Sequence, residues 1–130
     1  MTDEIYNEIR TIRSRIESIE KGQEVLIRAE RGQILAEILP LFEKDALLCR
    51  IYLLVDGVLG QKQIAQALQD GGYGGSEATV SRKLEILQDH DLIALDDRTA
   101  AGKIYRRTQF DRALRLSREI ERILKGDARR

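Results

Sequence analysis

The densest recognition chemistry in this sequence lies in residues 76–87, which combine small hydroxyl residues with two basic ones. On a helical wheel Val80, Leu84 and Leu87 share one face, at the spacing of an amphipathic helix. The opposite face presents Arg82 among small residues, so its guanidinium would project from a low surface. An arginine fork can bind the two acceptors of a guanine edge, and hydroxyls can bind a base or a phosphate. The candidate contact residues here are Ser76, Thr79, Ser81, Arg82 and Lys83.

The flanking residues favour a helix over about residues 76–88. Ser76 is a suitable N-cap, and Gly72, Gly74 and Gly75 supply a sharp turn in front of it. A short amphipathic segment, residues 61–68, precedes the glycines. The pattern predicts two helices joined by a turn, with a connection longer than the usual three or four residues of a helix-turn-helix.

Two short β-prone runs follow, Leu92–Leu95 and Lys103–Thr108. The polar, glycine-containing residues between them predict a β-hairpin with its tip near residues 96–103. Basic side chains lie at or beside this tip, where they could bind phosphates or enter a minor groove. The candidate contacts on the hairpin are Arg98, Lys103 and Arg107.

Residues 43–108 resemble the winged helix-turn-helix regulators of the MarR and ArsR type. The resemblance is carried by residues 63–68, by Thr-Val-Ser-Arg-Lys-Leu-Glu-Ile-Leu at 79–87 and by Asp91-Leu92-Ile93. It implies a mainly α fold with a small β-hairpin wing, and double-stranded DNA as the partner. It also implies groove contacts from Thr79, Ser81, Arg82 and Lys83, and wing contacts from Arg98 and Lys103. Asp91 replaces the usual glycine, so it must adopt a tight backbone geometry.

Residues 3–39 read as one long helix with a narrow apolar seam at heptad positions a and d. Such a seam suits another helix, so we expect self-association, with a homodimer favoured and a higher oligomer possible. Isoleucine at both a and d favours three or four strands, so strand number and orientation stay open. The alternative is that the helix packs on its own domain. The seam residues are Ile5, Ile9, Ile12, Ile16, Ile19 and Leu26.

The remaining segments complete a three-part organisation. Pro40 is expected to end or kink the first helix, and a second helix is expected over about Leu41–Val58 with a wide apolar stripe. A last helix is expected over about Gln109–Lys125. The parts are a coiled-coil helix at 1–39, a winged helix-turn-helix domain at 40–108, and a C-terminal helix and tail at 109–130.

Composition limits the class of function. The 22 basic and 22 acidic residues give zero net charge, but residues 92–130 carry 11 basic and 6 acidic residues, a local charge of +5. One histidine and one cysteine, Cys49, give no catalytic constellation, no metal site and no cofactor site, so we expect a non-enzyme. Cys49 is expected to be buried. With no apolar run near the roughly 20 residues of a membrane span and no signal peptide, a cytoplasmic location is expected.

Three functions fit these patterns. The first is a homo-oligomeric, sequence-specific DNA-binding transcriptional regulator, with the helix at 76–88 in the major groove and the wing at 96–103 on the backbone or minor groove. The second is a coiled-coil adaptor for protein assembly, whose winged helix docks protein; glutamates at 77 and 85 favour it. The third is a chromosome-binding protein indifferent to sequence.

Overall fold

A computed structural model describes residues 2–100 and 102–128. This part of the chain is mainly helical with one antiparallel β-hairpin, which confirms the coarse fold class expected from the sequence. The elements in order are α1 (Thr2–Ala29), α2 (Arg31–Glu43), α3 (Ala46–Leu54), α4 (Gln61–Asp70), α5 (Glu77–Asp89), β1 (Ile93–Thr99), β2 (Gly102–Arg107), α6 (Gln109–Leu114) and α7 (Leu116–Ala128).

Helix α3 lies at the centre, in contact with α2, α4, α5 and α7. It is apolar on several sides, as expected for a helix surrounded by others, and buries Leu48, Cys49, Ile51 and Tyr52. The Cys49 thiol is buried, as predicted, and its Sγ donates to the carbonyl oxygen of Phe42 at 3.2 Å. The surrounding elements add fully covered side chains from Ile64, Leu68, Val80, Leu84, Leu87, Leu92, Leu114, Leu116 and Ile120.

The prediction of one helix over 41–58 is wrong. Helix α2 ends at Glu43 and α3 begins at Ala46, because the carboxylate of Asp45 accepts the backbone N–H of Leu48 at 3.0 Å and caps a new helix. Helix α3 ends at Leu54, so Val58 lies beyond it and is 71% exposed instead of joining the core.

The prediction of one unbroken helix over 3–39 is also wrong, and of the two outcomes expected at Pro40 the helix end does not occur. The break falls at Glu30, and Pro40 lies inside α2, which continues to Glu43. Proline costs a helix one backbone hydrogen bond, but α2 buries Leu35, Ile38 and Phe42 on the core, and that packing outweighs the loss. The break turns α2 toward the core, and the Nε of Arg31 donates to the carbonyl of Leu114 at 3.1 Å.

The expected single helix over 109–125 is divided as well. Arg115 has left-handed backbone angles, φ 53° and ψ 43°, between α6 and α7. The redirection lets Leu114 and Leu116, on either side of it, both be fully buried. Asp111 then caps α7 by accepting the N–H of Ser117 at 3.0 Å.

The hairpin strands are longer than predicted on the β1 side, which runs to Thr99. The register pairs Ile93 with Arg107 and Leu95 with Tyr105, and an irregularity between Leu95 and Asp97 leaves Asp96 without a partner in the ladder. Strand β2 is joined to the loop between α3 and α4, because the N–H of Gly57 donates to the Tyr105 carbonyl at 3.1 Å. Asp91 enters the hairpin with φ 58°, which confirms its expected tight geometry.

Two aspartate-to-glycine substitutions test the strain at Asp91. Replacing Asp91 with glycine should raise the free energy of unfolding by up to about 1 kcal/mol, because positive φ is costly for residues with a Cβ. Replacing Asp89, at the last position of α5, should lower it by up to about 1 kcal/mol. Both changes remove one carboxylate near the same helix end, so urea denaturation of the pair isolates the backbone effect. The same sign for both variants would contradict the strain.

Candidate functional site

Helix α5 is positioned by its own cap and by a glycine loop. The Oγ of Ser76 accepts the N–H of Thr79 at 3.2 Å, which confirms the predicted N-cap. Three glycines of the preceding loop, Gly72, Gly74 and Gly75, have φ between 74° and 99°, which permits the sharp turn from α4. The face of α5 that was predicted to be apolar buries Val80, Leu84 and Leu87. The opposite face is therefore fixed outward.

Arg82 lies on that outer face and is exposed. Its one side-chain hydrogen bond within the described residues is long, 3.5 Å from Nε to the Ala78 carbonyl, so neither terminal nitrogen has a hydrogen-bond partner there. Thr79 and Ser81 are half-buried beside it. The Oγ1 of Thr79 lies 3.1 Å from the Oγ of Ser76, so these hydroxyls share a hydrogen bond at the helix start. Ser76 and Thr79 thus lie together at the helix start, Arg82 is exposed further along α5, and Ser81 lies at the opposite edge of the outer face.

Lys83 is engaged inside the fold. Its ammonium forms an ion pair with the carboxylate of Asp45, the residue that caps α3, and its side chain is 19% exposed. The pair fastens α5 to the start of the central helix. Lys83 therefore binds another part of the fold, whereas Arg82, its neighbour in the sequence, is exposed.

Arg107 is also directed into the molecule. Its Nη2 donates to the Leu53 carbonyl at 2.8 Å, and its Nη1 donates to the Ser117 hydroxyl at 2.9 Å. Nη1 also lies 3.5 Å from the Asp111 carboxylate, and the guanidinium carbon lies 5.3 Å from the centre of the Tyr52 ring. Tyr52 donates to Asp111 at 2.8 Å, and burial together with that carboxylate raises the pKa of the phenol. Arg107 therefore holds the hairpin to α3 and α7.

Arg98 and Lys103 remain exposed on the hairpin. They are cross-strand partners, one pair away from the turn. Asp96 and Asp97 accompany them; the Asp96 carboxylate lies 3.7 Å from Arg106, and Asp97 accepts the N–H of Arg98 at 2.7 Å. The four charges of residues 96, 97, 98 and 103 sum to zero, so the hairpin tip is less cationic than the basic residues alone suggested.

The end of α1 packs on its own domain, whereas the rest of its apolar seam is exposed, so self-association stays a prediction. Near its end α1 packs on α6, where Ile27 is buried, Gln109 donates to Gln23 at 2.9 Å and Arg112 pairs with Glu24 at 3.0 Å. The rest of the seam lies open to solvent, with exposed fractions from 45% at Ile9 to 67% at Leu26. Ile5, Ile12 and Ile19 fall between these values, and the side chain of Ile16 lies outside the described residues.

A second cluster of basic residues was not predicted as a site. Arginines from α1, α2, α6 and α7 converge where the two helix breaks meet. The sequence shows the spacing of Arg112, Arg115, Arg118 and Arg122, but the breaks at Glu30 and Arg115 bring Arg28 and Arg31 to them.

None of the helices in residues 2–100 and 102–128 has the length and apolar character needed to cross a bilayer. Within the same residues, no group of three or more His, Cys, Asp and Glu side chains is placed to hold a metal ion. Comparison with protein-family models, curated proteins and solved structures gives no match to this chain.

Neighbouring arginines on β2 allow a matched test of the inward network. Arg107→Ala should lower the free energy of unfolding by about 2–3 kcal/mol, since it removes two hydrogen bonds and leaves Asp111 without its cation. Arg106→Ala should change it by less than about 0.5 kcal/mol, because that side chain is exposed. Chemical denaturation measures both. Equal stability of the two variants would show that the Arg107 network contributes nothing.

Proposed function

We propose that this chain is a homodimeric, sequence-specific DNA-binding regulator of the winged helix-turn-helix type. The observation that carries the proposal is the exposure of Arg82 on α5, a helix whose other face is locked into the core by Val80, Leu84 and Leu87. The order of elements, which is helix α4, a glycine loop, helix α5 and then the hairpin, supports the same assignment. The resemblance in sequence at residues 79–87 agrees with it.

In this proposal α5 lies in the major groove with Arg82 as the base-reading residue. Its two terminal nitrogens can donate to the O6 and N7 acceptors of one guanine. Ser76, Thr79 and Ser81 lie toward the start of the same helix, within reach of a phosphate or a neighbouring base. Arg98 and Lys103 on the hairpin supply a second, sequence-independent contact. Lys83 and Arg107 support these elements from inside the fold.

Self-association through α1 completes the proposal. In a parallel pair of helices, the g position of one heptad faces the following e position of the second copy. Glu8 and Arg15 occupy g positions, and Arg13 and Glu20 occupy the e positions that follow; all four are exposed. Both contacts, Glu8 to Arg13 and Arg15 to Glu20, then join opposite charges while the isoleucine seam is buried. A parallel pair would carry two DNA-binding units at one end, suited to half-sites about 34 Å apart.

Docking to protein is the second candidate. The exposed residues of α5 include Glu77 and Glu85 beside Arg82, so this face carries no excess of positive charge. A surface of mixed sign suits a folded protein partner better than a polyanion.

A DNA-binding experiment separates the two candidates. After selection of a preferred site from random duplexes, Arg82→Ala should cost about 1–3 kcal/mol of binding free energy and relax the preference at one base pair. Lys103→Ala should weaken all sequences alike. Lys125→Ala, on the far helix α7, serves as a control for the loss of one charge and should leave affinity unchanged. Fluorescence anisotropy measures each.

The salt dependence of DNA binding gives the outcome that would contradict the proposal. Wild-type affinity for duplex DNA should fall steeply between about 50 and 200 mM salt. Absence of binding at the lower concentration would reject the DNA proposal and favour protein docking. Equal affinity of wild type for every duplex would instead indicate a sequence-indifferent chromosome-binding protein.

The coiled coil has its own test. Ile12→Asp should convert a dimer into a monomer, since it places a carboxylate in the apolar seam, whereas Ser14→Asp on the outer face should not. Sedimentation equilibrium measures the mass. A monomeric wild type would contradict the dimer.

Charge exchange determines the orientation. Glu8→Arg should weaken a parallel dimer by placing like charges together, and adding Arg13→Glu should restore it. In an antiparallel pair Glu8 would face Arg15 of the second copy, so the double variant would stay weak.

A further inference from the structure

A strongly positively charged concavity lies away from α5. It opens where the α1–α2 junction meets the α6–α7 junction and has a volume of about 530 Å³. Ala113 and Glu119 line it together with six arginines: Arg28, Arg31, Arg112, Arg115, Arg118 and Arg122. We call this concavity the arginine cleft. Helix α5 packs on α3 and α4 and contributes none of its lining residues.

Two glutamates pair with four of the six arginines, so the positive charge of the cleft is only partly compensated. Glu24 pairs with Arg28 at 2.9 Å and with Arg112 at 3.0 Å, and its side chain is 12% exposed. Glu119 pairs with both Arg31 and Arg122 at 3.2 Å and is 19% exposed. Each carboxylate is thus already shared by two guanidinium groups. Six arginines less two glutamates leave a charge of +4.

Two of the arginines have no ionic or hydrogen-bonding partner in the described part of the chain. Arg115 and Arg118 are exposed and form neither an ion pair nor a side-chain hydrogen bond with any residue in 2–100 or 102–128. Two guanidinium groups without a carboxylate partner can donate to an anion, and the four paired arginines around them add to the positive potential of the cleft. The uncompensated charge therefore points to a bound anion.

The backbone fixes the cleft before any ligand arrives. The left-handed residue Arg115 sets the angle between α6 and α7, and the break at Glu30 sets the start of α2. The hydrogen bond from Arg31 Nε to the Leu114 carbonyl, 3.1 Å, joins the two junctions. A preformed site spends less binding free energy on ordering its side chains.

We propose that the arginine cleft binds an oligophosphate anion. Guanidinium forks bind phosphate oxygens in pairs, and several converging forks match a chain of phosphates better than a single carboxylate. The volume falls in the range of small-molecule sites, about 300–1,000 Å³. Among the described residues no aromatic side chain lines the cleft, so it offers no platform for a nucleobase and recognises the phosphate chain itself. The inference does not rest on DNA binding by α5.

The test is calorimetric titration of the full chain with inorganic tripolyphosphate at low salt. Wild type should bind one tripolyphosphate per chain. Arg118→Glu should weaken binding by about tenfold or more, because it removes an unoccupied guanidinium and adds a repelling charge. Lys125→Glu makes a similar change in charge on the same helix outside the cleft and should bind like wild type.

Arg115→Gly gives a second variant whose folding is secure, since glycine accepts the positive φ without strain. As argued for Asp91→Gly, the variant should be at least as stable as wild type, and it should lose affinity for tripolyphosphate. Adenosine triphosphate should bind no more tightly than tripolyphosphate if the phosphate chain alone is read. Three results would overturn the proposal: no binding to wild type, equal loss in Lys125→Glu and Arg118→Glu, or binding of the nucleotide without tripolyphosphate. If Arg118→Glu instead weakened duplex DNA binding while wild type ignored tripolyphosphate, the cleft would be a DNA contact and not an oligophosphate site.

Discussion

One half-buried carboxylate joins four elements of this fold. Asp111 accepts hydrogen bonds from the Tyr52 hydroxyl of α3 and from the backbone and hydroxyl of Ser117 in α7, and it lies 3.5 Å from Arg107 of β2. A carboxylate withdrawn from water is stable there only with such partners, so the positions of α3, β2, α6 and α7 depend on one another. The hairpin is thereby held to the same framework that orients α5 through α3. The outward face of α5 that carries Arg82 follows from the burial of Val80, Leu84 and Leu87 on its other side.

The sequence predicts elements well where local signals and packing agree. Helix α5 has a capping serine, a clear apolar face and a glycine loop before it, and its observed bounds differ from the expected ones by about one residue. The helix breaks at Glu30 and Arg115 could not be predicted from such local signals. Apolar residues continue on both sides of each break, and the reason for the turn is the location of the core, which is a property of the assembled chain.

The roles of basic residues were equally hard to assign from the sequence. Arg82 and Lys83 are neighbours, as are Arg106 and Arg107, yet in each pair one side chain is exposed and the other is held inside the fold. The periodicity of a strand or helix predicts on which face a residue lies. It does not predict whether a carboxylate from another element lies opposite that face. The partners, Asp45 and Asp111, are 38 and 4 residues away, and the distant one gives no sequence signal.

The placement of the single sulfur atom has a practical consequence. Cys49 is the sole cysteine of the sequence, and it is fully covered at the middle of the central helix, beside the edge-to-face pair of Phe42 and Tyr52. A maleimide or similar reagent can reach the sulfur only when the helices around α3 separate. The alkylation rate of Cys49 therefore measures how often the whole interior opens, and no label needs to be engineered into the chain.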